Sequence, residues 1–501
     1  MAQRLDSRGL IDMVVDDSTF VSWDEEPIVP GAGISESYAA DLAAAREKSG
    51  VDEAVITGEG LIHGRRVAVV ACEFKFLAGS IGVAAAERLV RAVERATAEG
   101  LPLLAGPASG GTRMQEGTVA FLSMVKITAA VKAHRDAGLP FLVYLRHPTT
   151  GGVFASWGSL GHFTVAEPGA LIGFLGPRVY EQLYDRPFPE NVQTAENLQR
   201  QGIIDAVIGP ERIPHVVSKA LDILMGAREV PAPVPDPATR PDPEPRGTDA
   251  WEVITASRQP KRPGVRELLR YGATKVLPLN GTGEGEKDRG LILALATFGT
   301  APCIVLGQDR YRQRSHEPMG PAALREARRG MRLARELNLP LVTVIDTPGA
   351  ALSKAAEEGG LAGEIARSLG DLVTLEAPTV SLIMGEGSGG GALAMIPADR
   401  VLTAANGWLS PLPPEGASAI VYRDVDHAPQ MAQQQEVHAE KLLANGVVDR
   451  IIAERPDASA EPEEFARRVG ATLEHEIIDL MRQPGSRRWH ARIERYRRLG
   501  L

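Results

Sequence analysis

The chain has 501 residues, enough for two or three domains at about 150 residues each. Hydrophobic residues make up 44% and charged residues 24%, as in soluble globular proteins, and no apolar run approaches the roughly 18 residues of a membrane span. A formal charge of −9 argues against a nucleic-acid protein, and 52 glycines with only 5% aromatics favour tight α/β turns over a β-sandwich.

The N-terminal stretch lacks the basic start and apolar core of a secretory signal, so a cytoplasmic location is expected. In chain order, Val67–Cys72 predicts a strand and Gly82–Leu101 a helix, with Val83, Leu89, Val90 and Val93 near helical spacing. Pro102–Ala108 follows, then a helix near Val119–Ala137 and the strand Pro140–Arg146. Val230–Arg246 holds seven prolines and predicts an extended linker, dividing an N-terminal domain (1–229) from a C-terminal one (247–501). Beyond it, Leu291–Phe298 and Cys303–Leu306 read as strands and Pro321–Leu337 as a helix. The strand Pro340–Asp346, a helix near Gly363–Leu372 and the strand Thr379–Met384 complete the series. Apolar strands alternating with helices indicate an α/β protein whose strands are buried on both faces. Cys72 and Cys303, inside apolar runs, are expected as buried thiols; two cysteines alone cannot make a four-coordinate zinc site.

The two halves repeat each other. Leu101-Pro102-Leu103-Leu104 corresponds to Leu339-Pro340-Leu341-Val342, and each precedes a glycine-containing turn, Ser109-Gly110-Gly111-Thr112 or Asp346-Thr347-Pro348-Gly349. About 50 residues on, each half has a strand ending in a double glycine, at Gly151 and at Gly390. Gln201-Gly202-Ile203-Ile204-Asp205 then mirrors Asn445-Gly446-Val447-Val448-Asp449. Four landmarks in one order imply an internal duplication.

The chemistry-bearing segments are Thr149-Thr150-Gly151-Gly152-Val153 and Gly385-Glu386-Gly387-Ser388-Gly389-Gly390-Gly391-Ala392. A strand, a glycine turn and a helix start aim free N–H groups from the positive end of a helix dipole. Such a turn can bind phosphate or hold an oxyanion. One such turn is as readily a packing feature; two in matching positions favour a site. Neither fits the P-loop or dinucleotide spacing. Ser388 is not centred in Gly-x-Ser-x-Gly, because Glu386 stands at the first glycine position, and no HExxH occurs. Asp309–Arg314 is a basic cluster, either a solvated loop or a contact for CoA phosphates, and Arg487–Arg498 reads as a solvated terminal helix.

At these residues the sequence resembles acetyl-CoA carboxylase carboxyltransferase, with the β and α subunits fused. The β-like stretches run from Cys72 to Gly82, Ser109 to Gly117, Thr150 to Val153 and Ala166 to Phe174. The α-like ones run from Ile345 to Ala350, Gly385 to Ala394 and Pro414 to Ile420. The resemblance implies two tandem crotonase-like domains (ClpP/crotonase type). It implies transfer of the carboxyl group of carboxybiotin, carried on a biotin carboxyl carrier protein loaded by biotin carboxylase, to an acyl-CoA. Acetyl-CoA to malonyl-CoA is the expected pair, with a malonyl-thioester decarboxylase or a non-catalytic assembly subunit as alternatives. The N–H groups of Gly151 and Gly152 would hold the enolate oxygen of the thioester. Those of Gly391 and Ala392, shaped by Gly390, would hold the biotin ureido oxygen. Further substrate contacts are implied at Gly110, Gly111, Arg113, Thr150 and Val153 on the acyl-CoA side, and at Gly349, Glu415 and Gly416 on the biotin side. No side-chain base is needed, because the freed biotin nitrogen takes the α-proton. A homodimer or higher homo-oligomer is implied, since each site would combine the first half of one protomer with the second half of another. Two departures stand out. No cysteines are present for the β-type zinc ribbon, so no metal is expected, and Ser388 and Gly389 are exchanged relative to the usual α-type loop.

Overall fold

The computed structural model describes residues 4–28, 34–237, 249–314 and 318–500, apart from the Arg178 side chain. It divides into two compact units. One runs to Met225 and takes in Gly283–Gly285; the other runs from Gly226 to Thr282 and from Glu286 onward. Of the proline-rich stretch, residues 230–237 form no regular secondary structure, and 238–246 lie outside the described residues.

After the helices Ser7–Val14 and Glu36–Ser49, the first unit forms a hairpin, β1 (Val55–Ile62) and β2 (Arg65–Cys72). His63 (φ 49°) and Gly64 (φ 78°) turn it, the paired positive φ values of a two-residue loop that matches strand twist. Helix α1 (Val83–Ala98) then crosses over to β3 (Leu103–Gly106), and α2 (Gly117–Asp136) to β4 (Phe141–Leu145). The one-turn helix α3 (Gly151–Phe154) precedes β5 (Phe163–Ala166). The sheet order is Val21–Ser22, β1, β2, β3, β4, β5, Ala206–Val207, antiparallel up to β2 and parallel from there. Leu89, Val93 and Ala96 of α1 are buried with Val70, Leu103 and Val143 of the sheet. Each Leu or Val so covered contributes about 1.5–3 kcal/mol.

The second unit repeats this plan. Its strands are β6 (Leu291–Phe298), β7 (Ala301–Gln308), β8 (Leu341–Thr347), β9 (Thr379–Ser388) and β10 (Arg400–Ala404). Helices α4 (Pro321–Leu337), α5 (Leu361–Val373) and the one-turn α6 (Gly389–Leu393) connect them, followed by α7 (Pro414–Val421) and α8 (Gly485–Arg498). The order is Lys275–Pro278, β6, β7, β8, β9, β10, Arg450–Ile452, again antiparallel up to β7 and parallel beyond. The expected duplication is thus a duplication of topology. Cys72 and Cys303 are both fully buried in strands, and burial pushes the Cys72 thiol up to about 11.

Two expectations change. Strand β9 does not stop near Met384. Glu386, Gly387 and Ser388 stay extended because they pair with Trp408, Leu409 and Ser410. The C-terminal basic stretch is not a solvated helix. Arg492 of α8 is buried, donating through Nε (2.9 Å) and Nη2 (2.8 Å) to Asp399 and through Nη1 to the Leu372 and Leu375 carbonyls. Its sequence shows the charge but not the buried carboxylate that receives it.

Candidate active site

Two loops meet at the same place in each unit. In the first, Thr149–Thr150 pairs in parallel with Ile172–Gly173, and the Gly151 N–H extends that ladder to the Phe174 carbonyl at 2.9 Å. Gly151 then turns with φ 61° and starts α3. The second loop, Ser109 to Thr112, lies against it. The Ser109 hydroxyl accepts the Gly111 N–H at 3.0 Å, and Gly111 has φ 109°. A Cβ placed on Gly151 would come within 3.3 Å of Gly111 Cα, and one on Gly111 within 3.5 Å of the Gly152 nitrogen. The backbones approach this closely because neither residue has a side chain.

The second unit has the same construction. Ser388 ends β9, Gly389 turns with φ 62°, and α6 begins. The Thr347 hydroxyl accepts the Gly349 N–H at 3.1 Å, and Gly349 has φ 135°. A Cβ on Gly391 would lie 3.3 Å from the Ala350 nitrogen. Thr112 bridges Ile81 in parallel, as Ala350 bridges Met319, so the N–H groups of Thr112 and Ala350 point away from those partners.

This geometry shifts the expected repeat by one residue. Ser109 corresponds to Thr347, not Asp346, and Gly151 to Gly389, not Gly390, because the hydroxyl acceptors and the positive-φ glycines coincide in that register alone. It also shifts the donors. The glycines form the first turn of each helix rather than a loop before it. Gly151 is not a free donor, its N–H being held by Phe174. Ala392 is the fourth residue of α6, where the amide already joins the intrahelical ladder. The site amides for which no acceptor stands among the described residues are those of Thr112, Gly152 and Val153 in the first unit, and Ala350, Gly389, Gly390 and Gly391 in the second. Each set converges from two loops and can hold one oxyanion. Thr112 and Ala350 were not singled out from the sequence, since any residue can donate a backbone N–H.

The other predicted residues fall as follows. Thr150 and Val153 are buried beside Gly152. The Gly110 N–H is taken by the Ala78 carbonyl at 2.9 Å. Arg113 is not placed to touch a substrate. Its side chain is 1% exposed and locked to Glu53 (Nη1 to Oε2 2.9 Å) and the Ser80 carbonyl (2.8 Å), which fixes the Thr112 loop from behind. Gly390 is one of the second unit's free donors, and Gly349, its N–H held by the Thr347 hydroxyl, precedes the donor Ala350. Glu415, in the first turn of α7 with Gly416, accepts from Arg258 Nη1 at 2.5 Å, while Arg258 Nε reaches Glu386 at 2.5 Å. Partial burial works to raise Glu415, but the Arg258 hydrogen bonds bring it below the usual carboxylate range. In the Asp309–Arg314 cluster, Arg310 is buried against Asp346 at 2.9 Å, so that arginine is a core ion pair and not a phosphate contact. Burial raises the Asp346 carboxyl, and Arg310 only partly offsets it. Among the described residues no group of three or more His, Cys, Asp or Glu is placed to hold a metal ion, and no helix is long and apolar enough to cross a membrane.

Exposed apolar side chains follow the loops of each pair in the chain. Met114 comes two residues after Thr112, with Val119, Phe121, Leu122 and Val125 in the first turns of α2; Leu352 comes two residues after Ala350, Leu393 directly follows Ala392, and Ile420 and Val421 end α7. Faces of this kind mark surfaces that another molecule covers.

A family model described as carboxyl transferase domain matches residues 16–491. A Mycobacterium tuberculosis protein named as a probable biotin-dependent acyl-coenzyme A carboxylase beta3 subunit is 61% identical over 499 residues, 99% of each chain. The acetyl-coenzyme A carboxylase carboxyl transferase subunits beta/alpha of Salinispora arenicola is 35% identical over 518 residues, covering 99% of this chain and 91% of the relative. Among solved structures, the transcarboxylase 12S hexamer with hydrolysed methylmalonyl-coenzyme A matches with a TM-score of 0.73 at 21% identity, covering 96% of this chain and 90% of that one. The duplicated α/β fold is therefore the crotonase-like one expected, and the chain belongs to the carboxyltransferase family of the biotin-dependent acyl-CoA carboxylases.

Proposed function

We propose that this chain transfers the carboxyl group of carboxybiotin, presented on a biotin carboxyl carrier protein, to the α-carbon of an acyl-CoA, with acetyl-CoA giving malonyl-CoA as the leading pair. The observation that carries this reading is the presence of two sets of free amides at matching loops, one per unit. A decarboxylase develops one enolate and needs one set; transfer between two enolisable partners uses both. The amides of Thr112, Gly152 and Val153 hold the thioester oxygen as negative charge builds on it, and those of Ala350, Gly390 and Gly391 hold the ureido oxygen. Carboxybiotin, the second substrate, supplies both the carboxyl group and, through its freed ring nitrogen, the base for the α-proton. This chain accordingly has to bind, orient and exclude water, with no side-chain base. The exposed apolar side chains on the segments next to both loop pairs support a site completed by a second copy of the chain, as a dimer or higher oligomer.

The test is reconstitution with a biotin carboxylase and a biotinylated carrier, offering acetyl-, propionyl- and longer acyl-CoA in turn. Carboxylated acyl-CoA formed only with the biotinylated carrier supports the reading, and the preferred acyl chain identifies the substrate. Decarboxylation of malonyl-CoA with no dependence on biotin would replace it with the decarboxylase reading.

A further inference from the structure

Helix α6 cannot stand on its own. Five residues, Gly-Gly-Gly-Ala-Leu, are too short to be stable alone, and glycine is a poor helix former. Its N-terminal amides face the site, while its carbonyls need partners elsewhere. The Gly391 carbonyl finds one in Gln308, the last residue of β7 and fully buried. Gln308 Nε2 donates to Gly391 O at 2.8 Å, and its Oε1 accepts the Asp346 N–H at 3.0 Å. Asp346 leads into the loop that carries Ala350. One side-chain amide therefore ties together both loops that supply the second unit's donors. The donor and acceptor demands admit only this orientation of the amide. The first unit has Cys72 at the matching last position of its hairpin strand, so its loops are not joined in this way.

Resting on the function proposed above, we infer that Gln308 is the positioning residue of the biotin-side oxyanion site, holding the Ala350 and Gly391 amides in register. Removing it leaves the Asp346 N–H and Gly391 C=O buried without partners and lets the two loops move apart. Displacement of about 1 Å lowers turnover by about 10²-fold.

The experiment compares the full chain with Gln308→Met and Gln308→Glu in transfer from malonyl-CoA to free biocytin, alongside amide hydrogen exchange of the 389–394 segment. The Met variant is expected to lose about 10²-fold in kcat, with the KM for malonyl-CoA within about threefold, because the thioester sits in the other unit. Its 389–394 amides should exchange faster. The Glu variant can donate to Gly391 only as a neutral acid, so its kcat should fall as pH rises across a range where the unmutated chain is flat. Unchanged kcat and exchange in the Met variant, or a Glu profile parallel to that of the unmutated chain, would overturn the inference. An unmutated chain without transfer activity would count against the proposed function instead, and the exchange comparison would still decide the role of Gln308. Should the Met variant fail to fold, the pH profile of the Glu variant carries the test.

Discussion

Gly391→Ala separates the chemistry of the second site from its folding. Gly391 lies inside α6 with ordinary helical backbone, so alanine meets no φ penalty and raises helix propensity by about 1 kcal/mol. The new Cβ lands 3.3 Å from the Ala350 nitrogen, between two of the amides that would receive the oxyanion. The Ala350 backbone must give by a few tenths of an ångström to admit it, and the methyl group then stands where the ligand oxygen would sit. Loss of one oxyanion donor lowers kcat by about 10²–10³-fold, or about 2.7–4 kcal/mol of transition-state stabilisation. The assay is carboxyl transfer from malonyl-CoA to biocytin, read as acetyl-CoA released, with thermal unfolding measured in parallel. Stability is expected to stay within about 1 kcal/mol of the parent while kcat collapses and the KM for malonyl-CoA is retained. A variant with near-parental kcat and intact fold would refute the placement of the oxyanion between Gly391 and Ala350.

Gly151→Ala should behave differently. At φ 61° an L-residue costs about 1–2 kcal/mol, and its Cβ meets Gly111 Cα at 3.3 Å, so both stability and turnover fall; denaturant titration checks the first. Arg113→Met leaves Glu53 as a buried unpaired charge and should destabilise by about 3–5 kcal/mol, whereas the double variant with Glu53→Leu recovers much of that loss in the same titration. Arg492→Met frees α8 from Asp399, and faster hydrogen exchange over 485–498 would report it. Burial works to raise Glu454, but Arg262, at 2.7 Å from each carboxylate oxygen, holds it below its ordinary value of 4.5. Because the folded state holds this carboxyl low, its stabilisation is present above about pH 4.5 and is lost as pH falls below it. Glu454→Gln should flatten the acid limb of a stability–pH curve.

Most elements were legible because their apolar periods were long. Pro321–Leu337 and Leu291–Phe298 match the sequence reading to the residue. The register of the repeat was not. A run of glycines does not show which one takes positive φ, since that depends on the Phe174 and Trp408–Ser410 backbones lying alongside. Nor does the run show that the Gly151 N–H is taken by the Phe174 carbonyl. Charged residues misled more strongly. Arg113, Arg310 and Arg492 sit in polar stretches, yet each is buried against a carboxylate distant in sequence, Glu53, Asp346 and Asp399. Nothing local announces such pairing. Glycine chemistry at the site was visible from spacing, while the backbone donors Thr112 and Ala350 and the amide of Gln308 emerged only once the loops were seen to meet.

The most direct test of two cooperating oxyanion sites is the transfer assay with malonyl-CoA and biocytin on the unmutated chain and on variants blocked in one unit at a time. Decarboxylation of malonyl-CoA is followed in parallel without biocytin. Transfer by the unmutated chain is expected, with its loss on blocking either Gly152 or Gly391. Thioester binding should survive only the Gly391 block. Transfer that persists with either unit blocked, in a folded protein, would contradict it.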